Sequence, residues 1–111
     1  LDRAAVARTA GVPEVWIDPG IGFGKTTAHN LALVRHIDVL VASGWPVVIG
    51  VSRKRFLGEL TAASDGDHPV TPPEDRAEAS VAMATWSFAR GVQIVRAHDV
   101  RGTVGAARVV G

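Results

Sequence analysis

Residues 15–25 read VWIDPGIGFGK, an apolar run that ends in a carboxylate and continues as a glycine-rich loop. The apolar run is typical of a strand, so Asp18 is placed where a rigid element stops and a flexible segment begins. The three glycines of the loop allow the backbone to approach a ligand or to adopt positive φ angles. This combination predicts a binding site at the end of a strand.

Two later segments repeat the arrangement. The apolar run Pro46–Val51 is followed by SRKR at 52–55, and the run Val92–Val95 is followed by RAHD at 96–99. The unbroken Val-Val-Ile core of the first of these runs is typical of a parallel strand that is buried on both faces. We therefore predict three strands, Glu14–Ile17, Pro46–Val51 and Val92–Val95, each followed by charged side chains.

Helical patterns lie around these strands. Apolar residues three and four apart indicate a helix before the second strand, and Gly91 suits a left-handed cap at the end of another. The segment TPPE at 71–74 has the pattern of a capping box, with Thr71 as N-cap and Pro72 at the first helical position. A loop is expected at Ser64–Pro69. The predicted helices are Asp2–Ala10, Thr27–Ser43, one from Arg53 to about Leu60, one from the capping box to Arg90, and Thr103–Val110.

Strands that alternate with helices predict an α/β fold in which three parallel strands are joined by crossover helices. Ligands of such sheets bind outside the carboxyl ends of the strands, where all three polar clusters fall. The chain of 111 residues suits one domain, but three strand and helix units cannot close an eight-stranded barrel. Because the chain opens with Leu1 and enters a helical pattern at once, we expect it to be part of a longer protein.

Composition narrows the function classes. The net charge of +1 argues against a protein that binds nucleic acid or a membrane surface, since both partners require a concentrated basic face. The absence of cysteine excludes disulfides and thiolate metal sites. No apolar run is long enough to span a membrane, and no signal peptide pattern is present. We expect a soluble, cytoplasmic protein.

The three polar segments together resemble the last three signature segments of the dihydropteroate synthase family: DPGIGFGK at 18–25, GVSRKRFLG at 50–58 and RAHDV at 96–100. The resemblance spans nearly the whole chain and implies that residues 1–111 are the C-terminal part of a pterin-binding (β/α)8 TIM barrel. It implies an enzyme of folate biosynthesis that condenses hydroxymethyl-dihydropterin pyrophosphate with p-aminobenzoate, releasing pyrophosphate and giving dihydropteroate.

The resemblance also implies that Mg²⁺ assists the leaving group, with its ligand residue outside this chain. It further implies a homodimer and competition by sulfonamides for the aminobenzoate site. Other pterin contacts and two mobile loops are expected in an N-terminal part, so we expect the isolated chain to be inactive.

Residue chemistry and the resemblance together give each site residue a role. The carboxylate of Asp18 can accept two hydrogen bonds from the amide and amino edge of a pterin, and Lys54 can donate to the ring, for which Gly50 leaves room. Arg96 and His98 can donate to the pyrophosphate, while Phe23 offers an aromatic face to the aminobenzoate. The predicted catalytic residues are Asp18, Lys54, Arg96 and His98, and the predicted substrate-binding residues are Asp18, Gly22, Phe23, Gly50, Lys54, Arg55, Arg96 and His98.

Other interpretations stay open. The glycine-rich loop alone is equally typical of a capped turn, and 53–55 is typical of a solvated basic helix start, although positive charge there opposes the helix dipole. An acidic loop with Asp65, Asp67 and His68 suggests a metal site but is most often only solvated. The segment GKT at 24–26 suggests a phosphate-binding P-loop, yet Pro19 stands where that motif requires glycine. The main alternative function is a non-catalytic pterin-binding paralogue or fragment that acts as a binding module.

Overall fold

The computed structural model of the chain describes residues 1–66 and 70–111. Two short strands alternate with helices in the described ranges. In chain order the elements are α1 Asp2–Thr9, α2 Thr27–Arg35, α3 Ile37–Ala42, β1 Val48–Ile49, α4 Arg55–Asp65, a 3₁₀ turn Pro73–Asp75, α5 Ala77–Ala89, β2 Ile94–Val95 and α6 Val100–Val110.

The strands are parallel, as predicted. Val48 pairs with Ile94 and Ile49 with Val95. The carbonyls of Val47 and Ile49 accept hydrogen bonds from the backbone amides of Ile94 and Arg96, at 3.2 and 3.0 Å. The opposite edge of β1 bonds to Ile17, so β1 lies between the Ile17 segment and β2.

The predicted first strand, Glu14–Ile17, is wrong in extent, because only Ile17 pairs, as an isolated parallel bridge to Val47. Ile17 donates to the Pro46 carbonyl and accepts from the Val48 amide, both at 2.9 Å. Continuing the ladder towards Val15 would require an amide hydrogen on the residue at position 46. Proline has none, so the pairing stops after one residue.

The predicted helix Thr27–Ser43 is two helices, because His36 interrupts it with φ −103° and ψ 21°. The apolar stripe itself is confirmed, since Val34 and Ile37 are buried on either side of the break. Gly91 has the left-handed φ of 94° that was predicted for a cap after α5. Periodicity therefore predicted the buried face of the helix correctly but did not reveal the break at His36.

The predicted capping box is wrong. The Pro72 and Arg76 positions that precede the 3₁₀ turn and α5 make no side-chain capping hydrogen bond. Pro72 has an extended backbone with ψ 157°, because the proline that follows it disfavours the helical conformation. Thr71 is buried, and its amide donates to the Gly58 carbonyl at 3.2 Å. Two adjacent prolines therefore delay the helix to Ala77.

Other boundaries also differ from the sequence prediction. Helix α4 includes Ser64 and Asp65, which were assigned to a loop, and ends at Gly66 with φ 77°. The remainder of that loop, 67–69, lies outside the described residues. The metal-site alternative that involves Asp67 and His68 is therefore not tested by the structure. Helix α6 begins at Val100 rather than Thr103.

The core lies between β1 and the helices around it. Ile21 belongs to the glycine-rich loop and is only 1% exposed, so this loop is anchored by a buried side chain. Within 1–66 and 70–111, no helix combines the length and the hydropathy needed to cross a bilayer. The buried apolar cluster consists of Ile21, Val34, Ile37, Val47, Ile49, Val51, Phe56, Leu57 and Val92.

Candidate functional site

A cleft of about 430 Å³ opens at the carboxyl ends of the parallel segments. Six of the predicted site residues line it together, while Gly22 and Arg55 do not. Residues far apart in sequence meet here because parallel strands present their carboxyl ends at one edge of a sheet. The lining residues are Asp18, Phe23, Gly50, Ser52, Lys54, Arg96, Ala97 and His98.

Asp18 and Arg96 form an ion pair across the cleft, which sequence analysis did not anticipate. The Arg96 Nη2 atom lies 3.0 Å from Asp18 Oδ2, and the two side chains are 58% and 28% exposed. The other carboxylate oxygen, Oδ1, accepts the amide hydrogen of Gly20 at 2.8 Å. One carboxylate oxygen therefore accepts a hydrogen bond and the other faces the guanidinium, so the carboxylate is oriented before any ligand arrives.

Gly50 makes room for the Arg96 guanidinium. A Cβ atom at Gly50 would lie 2.2 Å from Arg96 Nη2 and 2.8 Å from Nε. The prediction was that Gly50 leaves room for a pterin ring. In this structure the space above Gly50 is filled by the side chain that reaches Asp18.

Lys54 stands against the glycine-rich loop. Its Nζ lies 4.2 Å from the centroid of the Phe23 ring, a cation–π contact. A Cβ atom at Gly22, which has φ 89°, would approach Lys54 Cδ to 3.0 Å. Gly22 does not line the cleft, but its lack of a side chain allows the aliphatic part of Lys54 to pass beside the loop.

Arg55 points away from the cleft. It is exposed, its Nε donates to Glu59 Oε1 at 3.2 Å, and it lines a separate groove near Lys25 and Thr27. The pKa of Glu59 lies below its usual value, first because Thr27 donates a hydrogen bond to it and then because of Arg55. The substrate role predicted for Arg55 remains a prediction.

Ser52 holds the imidazole of His98. The Ser52 Oγ atom accepts the backbone N–H of His98 at 3.0 Å and lies 2.8 Å from His98 Nδ1. His98 is thus an exposed, hydrogen-bonded residue of the cleft rather than a core histidine. Ser52 was not among the predicted site residues. Its position immediately after a buried strand was the signal that could have identified it.

Arg53 and Asp99 form a second pair behind the cleft. Arg53 Nη2 donates to Asp99 Oδ1 at 2.9 Å, and the side chains are 36% and 21% exposed. The hydrogen bond from Arg53 is the largest cause of a lowered pKa of Asp99, and the same bond raises the pKa of Arg53. This pair gives a structural reason for positive charge near the start of α4.

Two further polar residues support the loops. The buried side chain of Asn30 accepts the Gly22 amide hydrogen through Oδ1 at 2.8 Å. Lys25 donates to the carbonyls of Gly20 and Phe23 at 2.8 and 3.0 Å. The Lys25 ammonium therefore braces its own loop, which disfavours the P-loop alternative. A lone asparagine in an apolar helix stripe gave little signal for Asn30.

A larger cavity of about 610 Å³ lies beside α2 and α3, but its chemistry is different. Its walls are mainly apolar, and of the cleft residues it shares only Asp18. His29 and His36 also line it, and both are exposed. The described residues contain no group of three or more His, Asp or Glu side chains that could hold a metal ion.

Comparison with known proteins identifies the family of the chain. The family model described as "Pterin binding enzyme" matches residues 1–98. The dihydropteroate synthase of Mycobacterium leprae is 46% identical over 107 residues, which cover 96% of this chain and 37% of that protein. That of Neisseria meningitidis serogroup C is 45% identical, over 94% of this chain and 35% of that protein. The chain thus spans little more than a third of the length of these curated relatives.

Solved structures give the same result. The chain superposes on the dihydropteroate synthase of Thermus thermophilus with a TM-score of 0.86 and 45% identity, covering 97% of this chain and 40% of that one. The same enzyme in complex with 6HMPPP gives a TM-score of 0.86 with 44% identity, covering 98% of this chain and 41% of that one. Its complex with 4-aminobenzoate gives 0.85 and 45%, with coverage of 98% and 40%. These likenesses imply a fold of the TIM-barrel family. This chain belongs to the pterin binding enzyme family, and the relatives it matches within that family are dihydropteroate synthases.

Proposed function

We propose that the protein containing this chain is a dihydropteroate synthase, which joins p-aminobenzoate to hydroxymethyl-dihydropterin pyrophosphate and releases pyrophosphate. The observation that carries the proposal is the cleft in which Asp18, Phe23, Gly50, Lys54, Arg96 and His98 meet. The solved relatives that bind 6HMPPP and 4-aminobenzoate support the same substrates here.

Asp18 recognises the pterin in this proposal. Its carboxylate is fixed by Gly20 and Arg96, so it can accept hydrogen bonds from the ring without first losing rotamer freedom. Lys54 donates to the ring from the other side of the cleft. A charged acceptor and a charged donor facing one flat heterocycle give strong, directional contacts.

Arg96 and His98 stabilise the departing pyrophosphate. Arg96 is 58% exposed although it contacts Asp18, so its guanidinium has donors that face the cleft. The Ser52 Oγ atom accepts the His98 amide hydrogen and lies 2.8 Å from Nδ1, so we assign the hydroxyl hydrogen to the bond with Nδ1. This assignment, which follows from the hydrogen-bond network, puts the proton of a neutral imidazole on Nε2, where it can donate to an anion.

Phe23 forms one wall of the aminobenzoate slot. A flat aromatic acid stacks favourably against a phenyl face, and the Lys54 ammonium 4.2 Å from the ring centroid adds positive charge near the carboxylate of that substrate. Once the pyrophosphate has left, the arylamine nitrogen attacks the pterin methylene carbon. No residue of this chain is assigned as a covalent nucleophile.

The finer predictions belong to the longer protein. We propose that these 111 residues are the C-terminal part of the barrel, because three parallel segments each end in the cleft. In this proposal Mg²⁺ would be held by the pyrophosphate and by residues outside this chain, since the described residues contain no group of three or more His, Asp or Glu side chains that could hold a metal ion. A homodimer, a cytoplasmic location and competition by sulfonamides remain predictions.

The test is calorimetric titration of the pterin pyrophosphate into the full-length protein, followed by a turnover assay with p-aminobenzoate. Asp18→Asn should weaken binding about tenfold to a hundredfold, because a charge-assisted hydrogen bond is worth roughly 1.5–3 kcal/mol. Asp38→Asn, at an exposed position of α3, is the matched control and should bind normally.

Each outcome is informative. Binding and turnover that are both lost in Asp18→Asn support the synthase. Binding without turnover in the native protein identifies the non-catalytic alternative, and absence of binding to the native protein contradicts both.

A further inference from the structure

The register of the two strands continues into the cleft through side chains. Each residue of β1 pairs with the β2 residue 46 positions later in the chain, as Val48 does with Ile94. The same offset joins Ser52 to His98 and Arg53 to Asp99, after the backbone pairing has ended. Two side-chain contacts therefore extend the parallel ladder beyond the sheet.

Asp99 gives up a local hydrogen bond to make this contact. It is the N-cap residue of α6, a position where aspartate ordinarily accepts an amide hydrogen from the first turn of the helix. Here it makes no capping hydrogen bond, and its Oδ1 accepts from Arg53 instead. The carboxylate thus serves the neighbouring loop rather than its own helix.

Arg53 is also held in an unfavourable conformation. Its φ is 54°, the only positive φ of a non-glycine residue among those described. Ser80 Oγ accepts its amide hydrogen at 2.8 Å, and Arg76 Nη1 donates to its carbonyl at 2.8 Å. Arg76 is buried and also donates to the Thr71 carbonyl at 2.6 Å. Helix α5 and the segment before it therefore fix the backbone that aims Arg53 at Asp99.

Two local rules are broken at two residues that contact each other beside the cleft. This suggests a function that outweighs them, because strain of this kind persists where the surroundings enforce it. Arg53 is followed directly by Lys54, and Asp99 directly follows His98. The pair therefore connects the two loops that carry a proposed ring donor and a proposed pyrophosphate donor. Neither Arg53 nor Asp99 lines the cleft.

We propose that Arg53 and Asp99 are positioning residues, which lock the loop after β1 to the loop after β2 so that Lys54 and His98 reach the substrate in a fixed relative geometry. The proposal rests on the synthase function proposed above. Its consequence is that breaking the pair lowers the rate of condensation more than it lowers the stability of the fold.

The experiment uses the full-length protein with Arg53→Gly, Asp99→Asn and the double variant. Glycine accepts the positive φ, so Arg53→Gly removes the guanidinium without adding strain, and asparagine preserves the shape of Asp99. Arg53→Lys tests rescue, because one ammonium hydrogen bond can replace the single contact to Oδ1. Asp38→Asn, exposed and outside the cleft, is the control. The measurements are kcat, KM for the pterin pyrophosphate, its calorimetric Kd, and the thermal midpoint.

A positioning role predicts that either single change lowers kcat/KM about tenfold to a hundredfold, since small misplacements of catalytic groups have effects of that size. The double variant should lose no more than the worse single variant, because both remove one interaction. Arg53→Lys should recover most of the loss. The thermal midpoints should remain near that of the native protein.

Other results overturn the inference. Normal kcat/KM in both single variants would remove the positioning role and leave the synthase function intact. Failure of both single variants to fold would make the pair a stability element, which also overturns it. A native protein that neither binds nor converts the pterin pyrophosphate would contradict the function and the inference together.

Discussion

The two sides of the cleft are built differently. One side, here called the β1–β2 side, consists of residues 50–54 and 96–99, which continue paired strands and are joined by the Ser52–His98 and Arg53–Asp99 contacts. The other side is the Asp18 loop, residues 18–25, which follows a single isolated bridge at Ile17. The loop is anchored by buried Ile21, by Asn30 and by the Asp18–Arg96 ion pair.

This difference shows how the site divides its tasks. The β1–β2 side is fixed by a buried strand and by helix α5, so the groups it carries are placed before a ligand binds. The Asp18 loop has left-handed φ angles at Gly20, Gly22 and Gly24, and most of its residues are exposed. The Asp18 loop therefore depends on a few contacts, and those that cross the cleft involve residues proposed to bind substrate.

The largest predicted effect is on the free energy of unfolding, when the packing that supports the β1–β2 side is disturbed at Gly58. A Cβ atom at Gly58 would lie 2.6 Å from the Thr71 carbonyl oxygen and 2.5 Å from Nε of buried Arg76. Gly58→Ala should lower the free energy of unfolding by roughly 2–3 kcal/mol, since overpacking a tight site forces backbone shifts. Chemical denaturation measures this change.

Gly105→Ala is the matched control for Gly58→Ala. It is also a helical glycine, but its Cβ would have no neighbouring atom within 4 Å. Alanine there should raise the free energy of unfolding by about 0.5–1 kcal/mol through helix propensity. Equal effects of the two changes would contradict the packing described around Arg76.

Contact between the two sides is tested by Gly50→Ala. The three atoms nearest to the new methyl group would all belong to the end of the flexible Arg96 side chain, so the guanidinium should swing away from Asp18. We expect about tenfold weaker binding of the pterin pyrophosphate, roughly 1.4 kcal/mol, with little change in the free energy of unfolding. Calorimetry and denaturation measure the two quantities.

The double variant Gly50→Ala with Arg96→Ala should bind no worse than Arg96→Ala alone. An additional loss would mean that the methyl group acts on the ligand itself, as the sequence prediction for Gly50 supposed.

Sequence reasoning predicted which segments form the β1–β2 side but not the contacts between their side chains. Strand order, the buried apolar stripe and the meeting of the polar clusters followed from periodicity and from the geometry of parallel strands. The pairs Asp18–Arg96 and Arg53–Asp99 did not, because no local pattern tells which of several charged residues at strand ends face each other. The positive φ of Arg53 is likewise imposed by Ser80 and Arg76, which are distant in sequence.

The failed predictions have local physical causes. Pro46 cannot donate to the ladder that a longer first strand would need, and Pro73 keeps Pro72 extended, so the capping box does not form. Both prolines were visible in the sequence. The effect of Pro46 depended on which strand it faced, and only the structure provides that, whereas the effect of Pro73 on Pro72 follows from the sequence alone.

Within the Asp18 loop, Gly22 and Gly24 can be compared directly. Both have left-handed φ angles, 89° and 62°, so alanine at either should lower the free energy of unfolding by about 1 kcal/mol. Only at Gly22 does the added Cβ press on Lys54, whereas at Gly24 it has no neighbour within 4 Å. Gly22→Ala should therefore also weaken binding of the pterin pyrophosphate by severalfold, and Gly24→Ala should not.

The pH dependence of stability in acid gives the smallest predicted effect. It distinguishes the contributions of the two carboxylates whose pKa is lowered, Asp99 and Glu59. The pKa of Asp99 is lowered chiefly by the hydrogen bond from Arg53, and that of Glu59 chiefly by the hydrogen bond from Thr27. A carboxyl group whose pKa is lower in the folded state stabilises the fold above its unfolded pKa, about 4, and this contribution is lost as the pH falls through the folded pKa.

The denaturation midpoint of the native protein should therefore fall more steeply below about pH 4 than that of Asp99→Asn, and the two curves should run parallel at neutral pH. Arg53→Gly should remove most of the Asp99 contribution while leaving that of Glu59. Thr27→Val should remove the largest cause of the lowered pKa of Glu59 while leaving the Asp99 contribution, because the two pairs share no residue. If Thr27→Val also removed the Asp99 contribution, the contacts of α2 with α4 and of the two cleft loops would form one cooperative network. The β1–β2 side would then not be independent of the helices that flank the Asp18 loop.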